Sequence, residues 1–123
     1  MGQRLVMLAG AIGIVLAMPA MAQDVENGAA VFRKCAVCHS AKAGSGPTIG
    51  PVLAGVVGRK AGSQSGFSYS KAMSEAALVW DGATLDAFVT KPQSVVKGTR
   101  MTFPGLSDAK DRADLIAYLA TLN

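Results

Sequence analysis

Both cysteines and the sole histidine of this 123-residue chain occupy one run of five, Cys35-Ala36-Val37-Cys38-His39. C-x-x-C-H is the attachment sequence for a covalently bound c-type haem. Each thiol forms a thioether to a haem vinyl group, and the histidine beside the second thiol is held against the iron. A chain tethered in this way must fold around a porphyrin. No cysteine or histidine is left to build a second site of the same chemistry.

The run has two other readings, and the rest of the sequence speaks against both. A thiol-disulfide redox pair belongs on a strand-helix-strand unit, and the chain has no alternation of strand and helix patterns. A zinc site needs four protein ligands, or three and a water, arranged around the metal. Cys35, Cys38 and His39 are bunched too tightly for that.

The N-terminus has the pattern of an export signal. Arg4 gives a positive start, Leu5 to Ala17 is apolar, and Ala20-Met21-Ala22 is a small-x-small cleavage site. Residues 1–22 are therefore expected to be removed, leaving a domain of residues 23–123 that begins at Gln23. The competing reading is an uncleaved anchor, since the apolar stretch approaches the roughly 18 residues that can span a bilayer. Pro19 ahead of a good cleavage site, and a helix start soon after it, favour cleavage. Export agrees with the haem reading, because bacterial c-type haem is attached outside the cytoplasm; the expected location is the periplasm. Loss of Arg4 would leave 11 of the 12 basic groups against 8 acidic ones, about +3. No basic run with interleaved aromatics is present, so nucleic acid is not an expected partner.

Residues 23–123 make one small domain, short of core unless a cofactor fills its centre. Asp24 is a candidate N-cap for a first helix in which Val25, Gly28, Ala29 and Phe32 share a face. From Ala43 to Gly66 the chain is rich in Gly, Ser and Pro, a long loop whose length calls for a functional reason such as wrapping a cofactor. A short helix is predicted after Ser70, with Ala72 and Met73 in it. Asp81 caps a helix that turns Leu85, Phe88 and Val89 inward and stops at Lys91-Pro92. Gln93 to Gly105 is predicted to be a second loop. The last helix is predicted from Ser107, with Asp108 and Asp111 at its positive end and an apolar stripe of Leu115, Ile116, Tyr118, Leu119 and Leu122. No run of alternating strands appears, and the fold class is all-α.

His39 fills one axial position of the iron. In an electron carrier the other is expected to be a methionine thioether, since His/Met ligation raises the reduction potential. Two methionines remain after the export segment, Met73 and Met101. Met101 lies in the second loop, able to reach across the porphyrin, whereas Met73 falls on a helix face.

CAVCH, Gly50-Pro51-Val52-Leu53, Gly58-Arg59-Lys60, Gly66-Phe67-Ser68-Tyr69-Ser70, Trp80, Pro92, Gly98-Thr99-Arg100-Met101 and Asp114 to Leu119 together resemble the class I c-type cytochromes, in order and over residues 24 to 123. The resemblance implies a small helical fold around one haem c, with the N- and C-terminal helices packed together and Gly28 and Phe32 against Leu115 and Tyr118. It implies His39 and Met101 as axial ligands and the Pro51 carbonyl as acceptor of the imidazole hydrogen bond, which orients a ligating ring. It also implies that Tyr69, Trp80 and Arg59 hold a haem propionate, with Thr99 a weaker candidate; a buried carboxylate needs such donors. Two positions depart from the pattern. Met73 stands where relatives often have asparagine, and Phe88 where many have tyrosine, so the polar network near Met101 should be simpler here.

The expected function is one-electron transfer between redox proteins by a monomeric periplasmic carrier, not an enzyme and not inserted in the membrane. By the same resemblance, basic residues ring the haem edge, and Lys34, Lys42, Lys91, Lys97 and Arg100 flank the haem-binding segments. Asp108, Asp111 and Asp114 lie on the last helix instead, an asymmetry that would orient the protein on acidic partners. The alternative is a binder or sensor of carbon monoxide or nitric oxide with a labile methionine. It requires an open axial position, and Met101 argues against one.

Overall fold

The structure, a computed structural model, describes residues 2, 7–14 and 22–123. Arg4 and the Ala20-Met21 part of the expected cleavage site lie outside the described residues.

Helices α1 (Val25–Ala36), α2 (Lys71–Ser74), α3 (Gly82–Thr90), α4 (Pro92–Val95) and α5 (Ala109–Ala120) follow one another, with a long connection between α1 and α2 and a single residue, Lys91, between α3 and α4. No strand forms among the described residues; an isolated antiparallel bridge joins Lys60 to Val79. The fold is all-α. Each of four starts is fixed by a short polar side chain that accepts an otherwise orphaned amide proton. Asp24 takes it from Asn27, Ser70 from Met73, Asp81 from Thr84 and Asp108 from Asp111.

Three local expectations need correction. The stretch after Lys91 is not loop throughout, because Pro92 ends α3 and opens α4: its fixed φ and missing N–H suit a first helical position as well as they break an interior. The last helix begins after Asp108 rather than at Ser107, since Asp108 is the residue whose carboxylate caps it, and Leu122 lies beyond its end. In α1 the buried positions are Gly28, Val31 and Phe32, while Val25 at the helix end is 42 % exposed.

The terminal helices cross at Gly28. A β-carbon placed there would overlap the main-chain carbonyl oxygen of Asp114 and stand 2.7 Å from Cβ of Tyr118. Only a residue without a side chain lets the two backbones approach this closely. Phe32 then meets Tyr118, ring centroids 5.3 Å apart and tilted by 51°, over a fully buried Leu115.

Asp114 sits inside this crossing. It is 1 % exposed, so it is not the surface acid expected from the sequence. The reason is the close approach itself, which brings α1 donors to the carboxylate. The Asp24 amide donates to Oδ1 (2.9 Å), the Asn27 side chain to Oδ2 (2.8 Å), and Lys110 Nζ to Oδ2 (2.7 Å). Asn27 also donates to Asp111 (3.0 Å). The Asp24 amide first, and then Lys110, hold the Asp114 carboxyl down at about 2. A carboxylate whose pKa is depressed on folding stabilises above its ordinary pKa and loses that contribution as acid protonates it. The stability that Asp114 supplies is therefore complete above about pH 4 and drains away towards pH 2. Asp114→Asn should flatten the acid limb of the stability profile in that window, measured by denaturant titration at several pH values; an unchanged slope would remove Asp114 from the acid response.

The long segments between helices are ordered by backbone bonds to fixed elements. Leu53 N–H donates to Ser40 O (2.9 Å), Gly55 N–H to Leu122 O (2.8 Å), and Gly58 N–H to Trp80 O (2.8 Å). Arg112, 14 % exposed, ties α5 to α3 through Asp86 (2.8 Å) and caps the Leu106 and Ser107 carbonyls (both 3.0 Å). Residues of α1, α2, α3 and α5 and of the long segments together enclose a hollow.

Candidate haem site

The hollow is a cavity of about 690 Å³, within the roughly 300–1,000 Å³ of a cofactor pocket. Its walls are largely apolar, from Leu53, Val56, Leu85, Phe88, Val89 and Leu119. Trp80 packs on Phe88 with ring centroids 4.8 Å apart, closing the floor. Every site residue named from the sequence lines this one space: Cys35, Cys38, His39, Pro51, Arg59, Tyr69, Trp80, Thr99 and Met101.

The attachment run occupies the end of α1 and the turn after it. Cys38 and His39 amides both return to the Cys35 carbonyl, at 3.0 and 2.9 Å, which winds the two thiols and the imidazole onto one side of the chain. The two cysteines are not joined to each other by a disulfide. Burial, then the neighbouring Cys38, pushes the Cys35 thiol up. A reactive redox thiol has the opposite tendency.

His39 Nδ1 lies 2.7 Å from the Pro51 carbonyl oxygen. A carbonyl can only accept, so Nδ1 carries the proton and Nε2 keeps its lone pair for a metal. Burial lowers the His39 pKa and the Pro51 bond raises it, the first being larger, so the ring stays neutral and available as a ligand. On its other side the imidazole is pressed against Gly50, where a β-carbon would stand 2.5 Å from Cε1 and 2.7 Å from Nδ1. Gly50 is itself held by its amide bond to Cys38 O (2.7 Å).

The polar groups on the walls are cations and neutral donors. Lys34, Arg59 and Arg100 line the cavity, and no Asp or Glu is among its lining residues. Tyr69 Oη accepts the Gln64 amide (3.1 Å), which leaves its own proton to be given elsewhere. Trp80 is 7 % exposed and its indole N–H has no acceptor among the described residues; it opens onto the cavity. Arg59 is also bonded within its own loop. Nη1 donates to Ala54 O (3.1 Å) and Gln64 Oε1 (2.6 Å), and Nη2 to Val52 O (3.0 Å), so the guanidinium braces the loop while lending its charge. Gln64, the partner of both Arg59 and Tyr69, was not singled out from the sequence, where nothing in a loop without periodicity points to it.

Met101 is half-buried in the segment after α4, its amide donating to Thr99 Oγ1 (3.3 Å). Met73 lines the same cavity from α2. Neither Met73 nor Phe88 brings a polar hydrogen to that side.

A flat, apolar, iron-bearing ring with two carboxylates is what such a space suits. The walls are apolar, the charges are positive, indole and phenol protons await an acceptor, two thiols stand at one edge, and a nitrogen lone pair is poised beside them.

Comparison with known proteins agrees with this chemistry. A family model described as cytochrome c matches residues 25–123. A cytochrome c2 from Rhodomicrobium vannielii is 50 % identical over 100 residues, covering 81 % of this chain and 80 % of that protein. A cytochrome c from Chlamydomonas reinhardtii is 46 % identical over 101 residues, covering 81 % and 90 %. Among solved structures, cytochrome cH from Methylobacterium extorquens superposes with a TM-score of 0.76 at 41 % identity, over 80 % of this chain and 98 % of that one. With the family matched along the whole folded part and the cavity chemistry in accord, the chain belongs to the cytochrome c family, a class I c-type cytochrome that carries covalent haem c and transfers electrons rather than acting as an enzyme.

Proposed function

We propose that this protein is a periplasmic one-electron carrier whose haem c is tethered by Cys35 and Cys38 and ligated by His39 and Met101. The observation that carries the reading is the 2.7 Å bond from His39 Nδ1 to the Pro51 carbonyl, which points the other ring nitrogen's lone pair into a cavity that Met101 also lines. The group supplies reversible Fe(III)/Fe(II) chemistry when bound. The chain's part is to hold both axial donors through the cycle, so that little has to rearrange, and to keep water from the iron with Leu85, Phe88 and Val89. Tyr69 and Trp80 would donate hydrogen bonds to the propionates, with Arg59 and Thr99 in support. Residues 1–22 serve export, and the mature chain starts at Gln23. No helix among the described residues is long and apolar enough to cross a membrane.

Optical spectra of the oxidised and reduced protein test the ligands. The oxidised form should be low-spin and show the weak near-infrared band of an iron–sulfur(Met) bond. Met101→Ala should abolish that band and open the reduced iron to carbon monoxide, while Met73→Ala should leave the band in place. A high-spin spectrum in the unsubstituted protein, or loss of the band with Met73→Ala alone, would overturn the assignment.

Partners dock at the haem edge. Lys34, Lys42, Lys91, Lys97 and Arg100 are all exposed, and Lys34 and Arg100 also reach the cavity rim. Burial of Asp114, paired with Lys110, takes one of the three acids out of that asymmetry and leaves Asp108 and Asp111 to supply it. Exposed charges are screened within about 10 Å at 0.1 M salt, so transfer to an acidic redox partner should slow steeply as ionic strength rises. A rate indifferent to salt would dismiss electrostatic docking.

A further inference from the structure

We propose that Gln93 is a positioning residue for the methionine ligand: its side-chain amide latches the loop that carries Met101. This rests on the reading of Met101 as an axial ligand. Gln93 is the second residue of α4, and its amide bonds in both directions to the same two-residue stretch. Nε2 donates to the Thr99 carbonyl (2.8 Å), and Oε1 accepts the Gly98 amide proton (3.3 Å). Thr99 in turn receives the Met101 amide on its hydroxyl (3.3 Å) and sends its own amide to Val96 O (3.1 Å). The bonds therefore run unbroken from Gln93 to the main chain of Met101.

The other side of the loop rests on the segment around α2. A β-carbon at Gly98 would stand 3.5 Å from the Ala72 methyl, and Arg100 Nη2 donates to Ser68 O (2.5 Å). The loop is thus held between a contact surface and one exposed glutamine. A packed surface limits how far the loop can move inward; the glutamine, beside the Arg100 bond to Ser68 and the Thr99 bond to Val96, resists its swinging out to solvent and holds two of the three residues before Met101. Side chains at exposed sites are usually near neutral for stability. Gln93 should instead govern how readily the iron–sulfur bond gives way to another donor, with little effect on the global fold.

The experiment is ligand exchange in the oxidised, haem-loaded protein. Free imidazole is added, the iron–sulfur(Met) bond breaks, an iron–nitrogen bond forms, and the near-infrared band reports the exchange. For Gln93→Ala the imidazole affinity should rise about tenfold, with faster amide-hydrogen exchange at Gly98 and a thermal midpoint close to that of the unsubstituted protein. Gln93→Glu, which keeps the acceptor for Gly98 but cannot donate to Thr99, should fall between the two. If imidazole affinity in Gln93→Ala equals that of the parent, or if the thermal midpoint falls while affinity stays put, the latch is refuted and the glutamine is merely structural. If the parent itself lacks the band, the ligand assignment fails, and the proposal falls with it.

Discussion

Gly28→Ala should lower the unfolding free energy by about 2 to 3 kcal/mol, the usual cost of forcing extra atoms into a packed interior. On an isolated helix the same change would be favourable by about 1 kcal/mol, because alanine is the better helix former. The sign reverses here because the added carbon would overlap the Asp114 carbonyl, and a main-chain atom in the middle of α5 cannot turn aside as a side chain can. The helices would have to separate, stretching the bonds from Asp24 and Asn27 to Asp114 together. Denaturant titration reads the effect as a lower midpoint with an unchanged slope. An alanine variant as stable as the parent would mean that α1 and α5 do not meet at this distance.

Gly50→Ala should disturb the iron more than any other single-methyl change. The new carbon would press on His39 at Cε1 and Nδ1, while the bond to Pro51 stops the ring from sliding away. The imidazole must either rotate off that carbonyl, losing a hydrogen bond of about 1 kcal/mol or more, or lean out of line with the iron. The first outcome removes the bond that raises ligand basicity, and the second keeps it but misaligns the ring with the iron. A rise in high-spin iron and a change of reduction potential are expected, with spectra recorded before and after substitution as the measure. Coincident spectra and potentials would show that Gly50 does not set the ring's position.

The parts of this molecule that could be read from the sequence are those governed by local chemistry. Asp24 and Asp81 mark their helix starts because the capping bond is made within three residues, and Leu85, Phe88 and Val89 are recognisable as an inward face by their spacing. The attachment run is legible because its function requires contiguous residues. Legibility fails where a residue's role depends on what arrives from far along the chain. Asp114 has the composition of a surface acid, and only the crossing at Gly28 turns it into a buried acceptor. Arg59 is read from the resemblance as a propionate donor, and nothing in the sequence shows that the loop also folds its own carbonyls around the guanidinium. Pro92 was read as a stop alone, although a residue unable to continue one helix is well suited to begin the next. Gln64 and Gln93 carried no signal, since an amide's partner in a loop is set by three-dimensional shape rather than by period.

The bond from Asp24 to Asp114 joins positions 90 apart in sequence. Folding must therefore close almost the entire polypeptide into a ring before either terminal helix finds its mate, and the entropy of that closure grows with the length enclosed. A macrocycle fixed at Cys35 and Cys38 gathers the intervening segments early and leaves a much shorter gap to bridge. Folding and cofactor attachment are thus coupled through polymer physics: before the porphyrin is in place, α1 and α5 have the least reason to stay together.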